Sequence, residues 1–358
     1  MWSNFSSHTK CYLLLLLYFI IPILSGCSKT DLGINYENPA PGFLLKNVYP
    51  GINNIKADRI NLIIVGKGYR DISSFLAIAR RDLAIDGKEI IDPNSFDKVL
   101  FGVFAIEPFK GNVSKFNIWF YPEQLTTDPI AFIQNQRNKA NRSENDFGLK
   151  NASYIIFTNP EVELSSFAFP SNILPKQPIN KENIIFGSTI VARYPNIADG
   201  MAVVAHELGH SLFNLRDEYV RTGPAFTDKY GFNIAPSLSE AKVLWGGVEN
   251  QIDPFYYKWK EKRKNVGYWI DKTQPFLIGE DKTTKKSIYT WQPSEEDMRV
   301  GYFEGGGVTT TGISWRPTMT SIMSNEDVRD KSWPQFPPVF GSANRKVMED
   351  VLKYFSGQ

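Results

Sequence analysis

Apolar and polar positions along the chain alternate between a strand-like and a helix-like period. Ile60 to Val65 is an almost unbroken apolar run closed by Gly66, the pattern of a strand buried on both faces. Phe75, Leu76, Ile78 and Leu83 then fall at helical spacing within Asp71 to Ile85, which predicts a helix packed by one face. Val99 to Ile106 and Phe116 to Tyr121 read as strands, Pro129 to Ala140 as a polar helix, and Tyr154 to Phe157 as another buried strand. Ser188 to Val191 reads as an edge strand. Asp199 to Leu215 predicts a helix with Asp199 as N-cap and Met201, Val204, Leu208, Leu212 and Leu215 on its inner face. This alternation predicts an α/β domain with a mixed twisted sheet layered by helices. From Tyr219 to Gly312 the chain is rich in Trp, Tyr, Gly and Pro and its periodicity is weak. That stretch predicts an irregular lower half of the same domain, since no linker-like composition sets it apart.

Ahead of these elements, Lys10 precedes the apolar run Cys11 to Leu24, shorter than the ~20 residues that a spanning helix needs. Residues 1–26 therefore read as a signal peptide. The run closes on Leu24-Ser25-Gly26-Cys27, which resembles the lipobox at which bacterial lipoproteins are cleaved and acylated. The resemblance implies lipidation at Cys27 and attachment to the membrane of a bacterial cell envelope, and Ser28 fits sorting to the outer membrane. Residues 27–48, with Asn38, Pro39, Pro41 and Gly42, then form an extended lipidated tether to a domain over residues 49–358.

Composition changes this picture in two places. With Cys11 removed and Cys27 acylated, no thiol is left for a disulfide, so stability must come from burial, for which 42% hydrophobic and 14% aromatic residues suffice. The 40 basic and 38 acidic residues nearly cancel, which gives no reason to expect a nucleic-acid partner. The basic cluster Lys260 to Lys264 reads as a solvated helix face.

The chemistry concentrates in His206-Glu207-Leu208-Gly209-His210. Two histidines one helical turn apart share a face and can reach one ion, with Glu207 beside them as a general base. A catalytic zinc site takes three protein ligands and leaves a position open for water. The chain has three histidines, and the third, His8, lies in the leader. Neither histidine nor an unmodified cysteine remains for the third ligand, so a carboxylate must serve, and Asp217 and Glu218 are both candidates.

The segment from His206 to Tyr219 resembles the bacterial IgA-peptidase family of metallopeptidases. Trp315-Arg316-Pro317 leading into Ser321-Ile322-Met323-Ser324 is similar to that family's arginine-proline segment and to the Met-turn of metzincins. Weaker echoes extend over about residues 55 to 355. In metzincins the active-site helix turns at a glycine and the third ligand follows, at positions that here hold Phe213 and Arg216. Displaced by one residue the pattern returns, with Asn214 at the turn and Asp217 as ligand. The resemblance thus implies a metzincin-like catalytic domain with zinc on His206, His210 and Asp217, Glu218 being the alternative. It places Met323 beneath the metal as a hydrophobic floor. No tyrosine follows shortly after Met323, so the oxyanion partner is open between Tyr219 and Arg316, each of which also suits a packing or salt-bridge role.

The function implied is a zinc-dependent endopeptidase acting on a protein or peptide substrate, with Glu207 as general base. A second reading is a catalytically inactive surface lipoprotein that binds peptide or glycan on the same fold, against which the intact Glu207 argues. A purely structural zinc site would call for four protein ligands, and no obvious fourth is present.

Overall fold

The computed structural model describes residues 46–47, 58–84, 90–91, 99–100, 102–121, 123–140, 149–159, 166–193, 201–218, 231–257, 276–281, 286–290, 295–307, 314–318, 321–324 and 339–355. The expected signal peptide, Cys27, Ser28, Asp199, Tyr219 and the Lys260 to Lys264 cluster lie outside the described residues. Among those described, no helix is long and apolar enough to cross a membrane.

The strands of the first half are β1 (Lys46–Asn47), β2 (Ile60–Lys67), β3 (Ile90–Ile91), β4 (Val99–Leu100), β5 (Phe116–Phe120), β6 (Ala152–Thr158), β7 (Phe167–Phe169) and β8 (Ser188–Ala192). Six of them form one sheet in the order β1-β5-β2-β6-β8-β7. The inner four run parallel, and β1 and β7 are antiparallel additions at the two edges. The helices are α1 (Ile72–Leu83), α2 (Pro129–Ala140), α3 (Met201–Phe213), α4 (Leu238–Trp245), α5 (Glu295–Met298) and α6 (Ser342–Leu352). The chain is therefore mixed α/β around a mostly parallel sheet.

The alternation of side chains in β2 divides the core. Ile60, Leu62 and Ile64 face a large apolar cluster that takes in Phe75 and Leu76 of α1, Val204, Leu208 and Leu212 of α3, and Met348 and Val351 of α6. Ile63 and Val65 face the opposite side, where Ile133 of α2 packs with Trp119, Tyr154 and Ile156. A parallel sheet covered on both faces needs the continuous apolar runs that these strands carry. Each fully buried leucine or valine of α3 is worth about 1.5–3 kcal/mol against exposure, so this helix is pinned by packing rather than by propensity. Polar bonds fix its height on the sheet: Thr189 Oγ1 donates to Ser211 Oγ at 3.0 Å, and the Gly187 amide donates to the Ser211 carbonyl at 2.7 Å.

Four expectations need correction. Val99 to Ile106 is not one strand, because β4 covers only Val99–Leu100 and Val103–Ala105 is a 3-10 turn. The chain bends there because Gly102 is pressed against the end of α1, where a Cβ would lie 2.5 Å from the Ala84 nitrogen. Ser188 to Val191 is not an edge strand, since β7 pairs outside it and takes the edge. Among its described residues the lower half is less irregular than its composition implies. It contains α4, started by Ser237 accepting from the Glu240 amide, α5, an antiparallel pair of β9 (Phe276–Asp281) and β10 (Lys286–Thr290), and β11 (Phe303–Glu304), which pairs with β12 (Trp315–Arg316) just beyond it. Lys46–Asn47, within the segment expected as tether, is paired into the sheet.

Candidate metal centre

Helix α3 runs over the large core with His206 and His210 on the side turned away from Val204, Leu208 and Leu212. It ends because Asn214 adopts the left-handed conformation at φ 51°. The Asn214 amide bonds back to the His210 carbonyl at 3.0 Å and the Leu215 amide to the Gly209 carbonyl at 3.1 Å, so the chain folds back beneath the helix. That reversal returns Asp217 to the two imidazoles.

His206 Nε2 and His210 Nε2 are 3.1 Å apart, and Asp217 Oδ1 lies 3.1 Å from the first and 3.2 Å from the second. Each ring is oriented by its other nitrogen: His206 Nδ1 meets the Ile322 carbonyl at 2.9 Å and His210 Nδ1 meets the Leu215 carbonyl at 2.6 Å. A carbonyl only accepts, so in both neutral rings the proton sits on Nδ1 and the Nε2 lone pair points to the centre. With both rings neutral, two nitrogen lone pairs and a carboxylate oxygen converge on one point, and without a metal a proton on His206 Nε2 bridges to Asp217 Oδ1 at 3.1 Å. Such a donor set could hold a cation. Tetrahedral ligands about 2.0–2.1 Å from one ion stand about 3.3 Å from one another, close to the spacing of this triad. Among the described residues these three form the one group of histidine and carboxylate ligands able to share a metal ion.

The charges respond to the crowding. Burial lowers the His206 pKa, but Asp217 and Glu207 outweigh it and raise it to about 9. Burial raises Asp217, yet His210 and His206 overcome that and hold its carboxyl well below the usual range. Glu207 is buried, and desolvation pushes its pKa up against the opposing pull of His206 and His210.

Glu218 does not join the triad. Its Oε1 accepts from Asn233 Nδ2 at 2.9 Å and Asn344 Nδ2 at 2.8 Å, and its Oε2 from Ser321 Oγ at 2.7 Å and Thr318 Oγ1 at 3.1 Å. Desolvation raises its pKa, while these donors oppose the shift. Met323 is fully buried against α3: a Cβ built on Gly209 would lie 2.7 Å from its sulfur. The missing side chain at Gly209 is what lets the methionine reach the helix at a residue bracketed by the two histidines. Arg316 is also buried, with Nη1 donating to the Glu218 carbonyl at 2.7 Å, which is a supporting role rather than one facing the triad. Sequence reasoning missed Asn233 and Asn344 entirely, because a buried amide has no local signature. No protein-family model matches the chain, and no curated protein matches it.

Proposed function

We propose that the protein is a zinc-dependent endopeptidase of metzincin type, similar to the IgA-peptidase family, attached to the bacterial envelope through lipid on Cys27. The observation that carries this reading is the convergence of His206 Nε2, His210 Nε2 and Asp217 Oδ1 within 3.2 Å of one another, beside a buried glutamate. Two imidazole nitrogens and one carboxylate oxygen are a donor set suited to zinc, and three protein ligands leave a coordination position over. Zinc in such a site polarises a carbonyl and lowers the pKa of water toward ~7.

The chain's own groups do the rest. The Ile322 and Leu215 carbonyls lock both histidines in the tautomer that offers Nε2. Glu207, raised by desolvation, is suited to accept a proton from the attacking water and to return it to the departing amine. The buried methionine and the aromatic core beneath α3 keep the helix, and with it both histidines, in place. Substrate specificity resides in loops, and the resemblance to the IgA-peptidase family does not by itself make immunoglobulin the substrate.

The test is a peptide library digested by the purified chain and read by mass spectrometry. Cleavage should stop on chelation and return with zinc. Glu207→Ala should retain one zinc per chain and lose cleavage by about two to four orders of magnitude. A Glu207→Ala protein that cleaves at nearly the wild-type rate would refute the proposal.

A further inference from the structure

Asp217 and Glu218 are neighbours with opposite surroundings, and the second surrounds itself with parts that serve the first. Glu218 is fully buried and its four hydrogen bonds come from three separate regions: Asn233 in the loop after the ligand segment, Thr318 and Ser321 at the Met323 turn, and Asn344 on α6. A carboxylate holding four donors is fully satisfied and has no capacity left for a metal. Its burial is costly, and no reaction step uses it.

The connections radiating from it reach two of the three ligands. The Glu218 amide donates to the Met323 carbonyl at 2.7 Å, and Ser321 Oγ, which donates to Glu218, accepts from the Met323 amide at 2.9 Å. Between Ser321 and Met323 sits Ile322, whose carbonyl orients His206. On the other side, the Asn233 amide that donates to Glu218 also pairs with both backbone groups of Arg216: it donates to the Arg216 carbonyl at 2.8 Å and accepts from the Arg216 amide at 2.7 Å. The Gly307 amide then donates to the Asp217 carbonyl at 2.6 Å. Asp217 is thus gripped through its own backbone and both flanking residues, and the same carboxylate fixes the carbonyl behind His206.

We infer that Glu218 is the positioning residue of the metal centre, holding Asp217 and the Ile322 carbonyl in a common frame through Asn233, Ser321, Thr318 and Asn344. The inference rests on the metal-centre reading above. It requires the shape and hydrogen bonding of the side chain; its charge faces the buried Arg316 and bears on folding rather than on the geometry of the ligands. Glutamine can keep its carbonyl oxygen toward Asn233 and Asn344 and donate from its amide to the two hydroxyls, which accept as readily as they donate.

The experiment compares wild-type, Glu218→Ala, Glu218→Gln and Asp217→Ala chains, each checked for folding in the metal-free state by urea unfolding. Zinc affinity is measured by competition with a chromophoric chelator, and cobalt is substituted to read the visible spectrum of the site. Glu218→Ala should bind one zinc about 10–100-fold more weakly and alter the cobalt spectrum. Glu218→Gln should recover both. A purely structural role would move the urea midpoint and leave the affinity and spectrum of the folded chain unchanged, and that result overturns the inference, as does a Glu218→Gln as impaired as alanine. Should Glu218→Ala fail to fold, Asn344→Ala decides: an affinity lowered about threefold or more supports the inference, and a wild-type value overturns it. Asp217→Ala separates the two levels. Zinc bound equally well without Asp217 defeats the metal centre itself, whereas loss in Asp217→Ala with a normal Glu218→Ala defeats only the positioning role.

Discussion

Alanine at position 209 should destabilise the protein even though it replaces a helical glycine. At an exposed helix interior the change would stabilise by about 1 kcal/mol, because glycine loses more backbone entropy on folding. Here the added methyl would sit 2.7 Å from Met323 Sδ and 3.2 Å from a ring carbon of Phe340, and both of those residues are fully buried. Overpacking a dense core costs about 1–3 kcal/mol, so the net effect runs from near zero to about 2 kcal/mol of destabilisation. Met323→Ala alone should cost about 2–5 kcal/mol, since it removes a fully buried side chain and leaves a cavity. In the double variant the methyl enters that cavity. Its loss should therefore be smaller than the sum of the single losses by about 1 kcal/mol or more. Urea unfolding of the four metal-free proteins measures the coupling, and zinc content after dialysis shows whether the shifted helix still binds. Strict additivity, or a Gly209→Ala protein about 1 kcal/mol more stable than wild type, would refute the contact between methionine and helix.

Metal-free protein should lose stability with rising pH. His206, with a folded pKa raised to about 9, contributes stability that is complete below its unfolded value of about 6.5 and is lost as pH passes through 9. Urea midpoints should fall across that window without metal and stay level with zinc bound, and a flat metal-free profile would count against a protonated His206. Arg193→Ala leaves Asp82, which is fully buried and bonded by Arg193 Nε at 2.6 Å, without its main counterion. Unfolding should show a loss of about 3–5 kcal/mol, and a loss under about 1 kcal/mol would deny that the pair ties α1 to the end of β8. Cys27→Ser should prevent acylation and shift the protein from the detergent to the aqueous phase. Unmodified, signal-cleaved wild-type protein in the soluble fraction would argue against the anchor.

What could be read from the sequence depended on how local its cause was. Helix α2 begins and ends where its pattern predicts, and α1 is capped by Asp71, because capping and periodicity act within a few residues. The triad was legible as far as its own segment extends, since His206, His210, Asn214 and Asp217 belong to one helix and its reversal. The order of strands was not legible. Whether Ser188–Ala192 lies inside the sheet depends on Phe167–Phe169 pairing beside it, a contact that the short run of phenylalanines does not announce. Helix α6 and Asn344 escaped notice for a similar reason: the helix finds its meaning only against the core beneath α3. The S-x-x-E signal at Ser237 to Glu240 was available and would have marked α4 within a stretch otherwise judged by composition.

The ligands and their supports differ sharply in chain separation. His206, His210 and Asp217 come from a single short segment, whereas the carbonyl behind His206 is 116 residues away and the Asn344 bond to Glu218 spans 126. During synthesis, a chain that has advanced only past Glu218 already carries every donor atom for the proposed ion but none of the distant frame. On the proposed reading, capture of a cation and tightening of its geometry are therefore separable, the first local and the second dependent on the C-terminal third folding back. A metal held loosely by the unfinished chain would also stabilise that state, so the net stabilisation of the finished fold by the proposed zinc would equal only the difference between loose and framed binding.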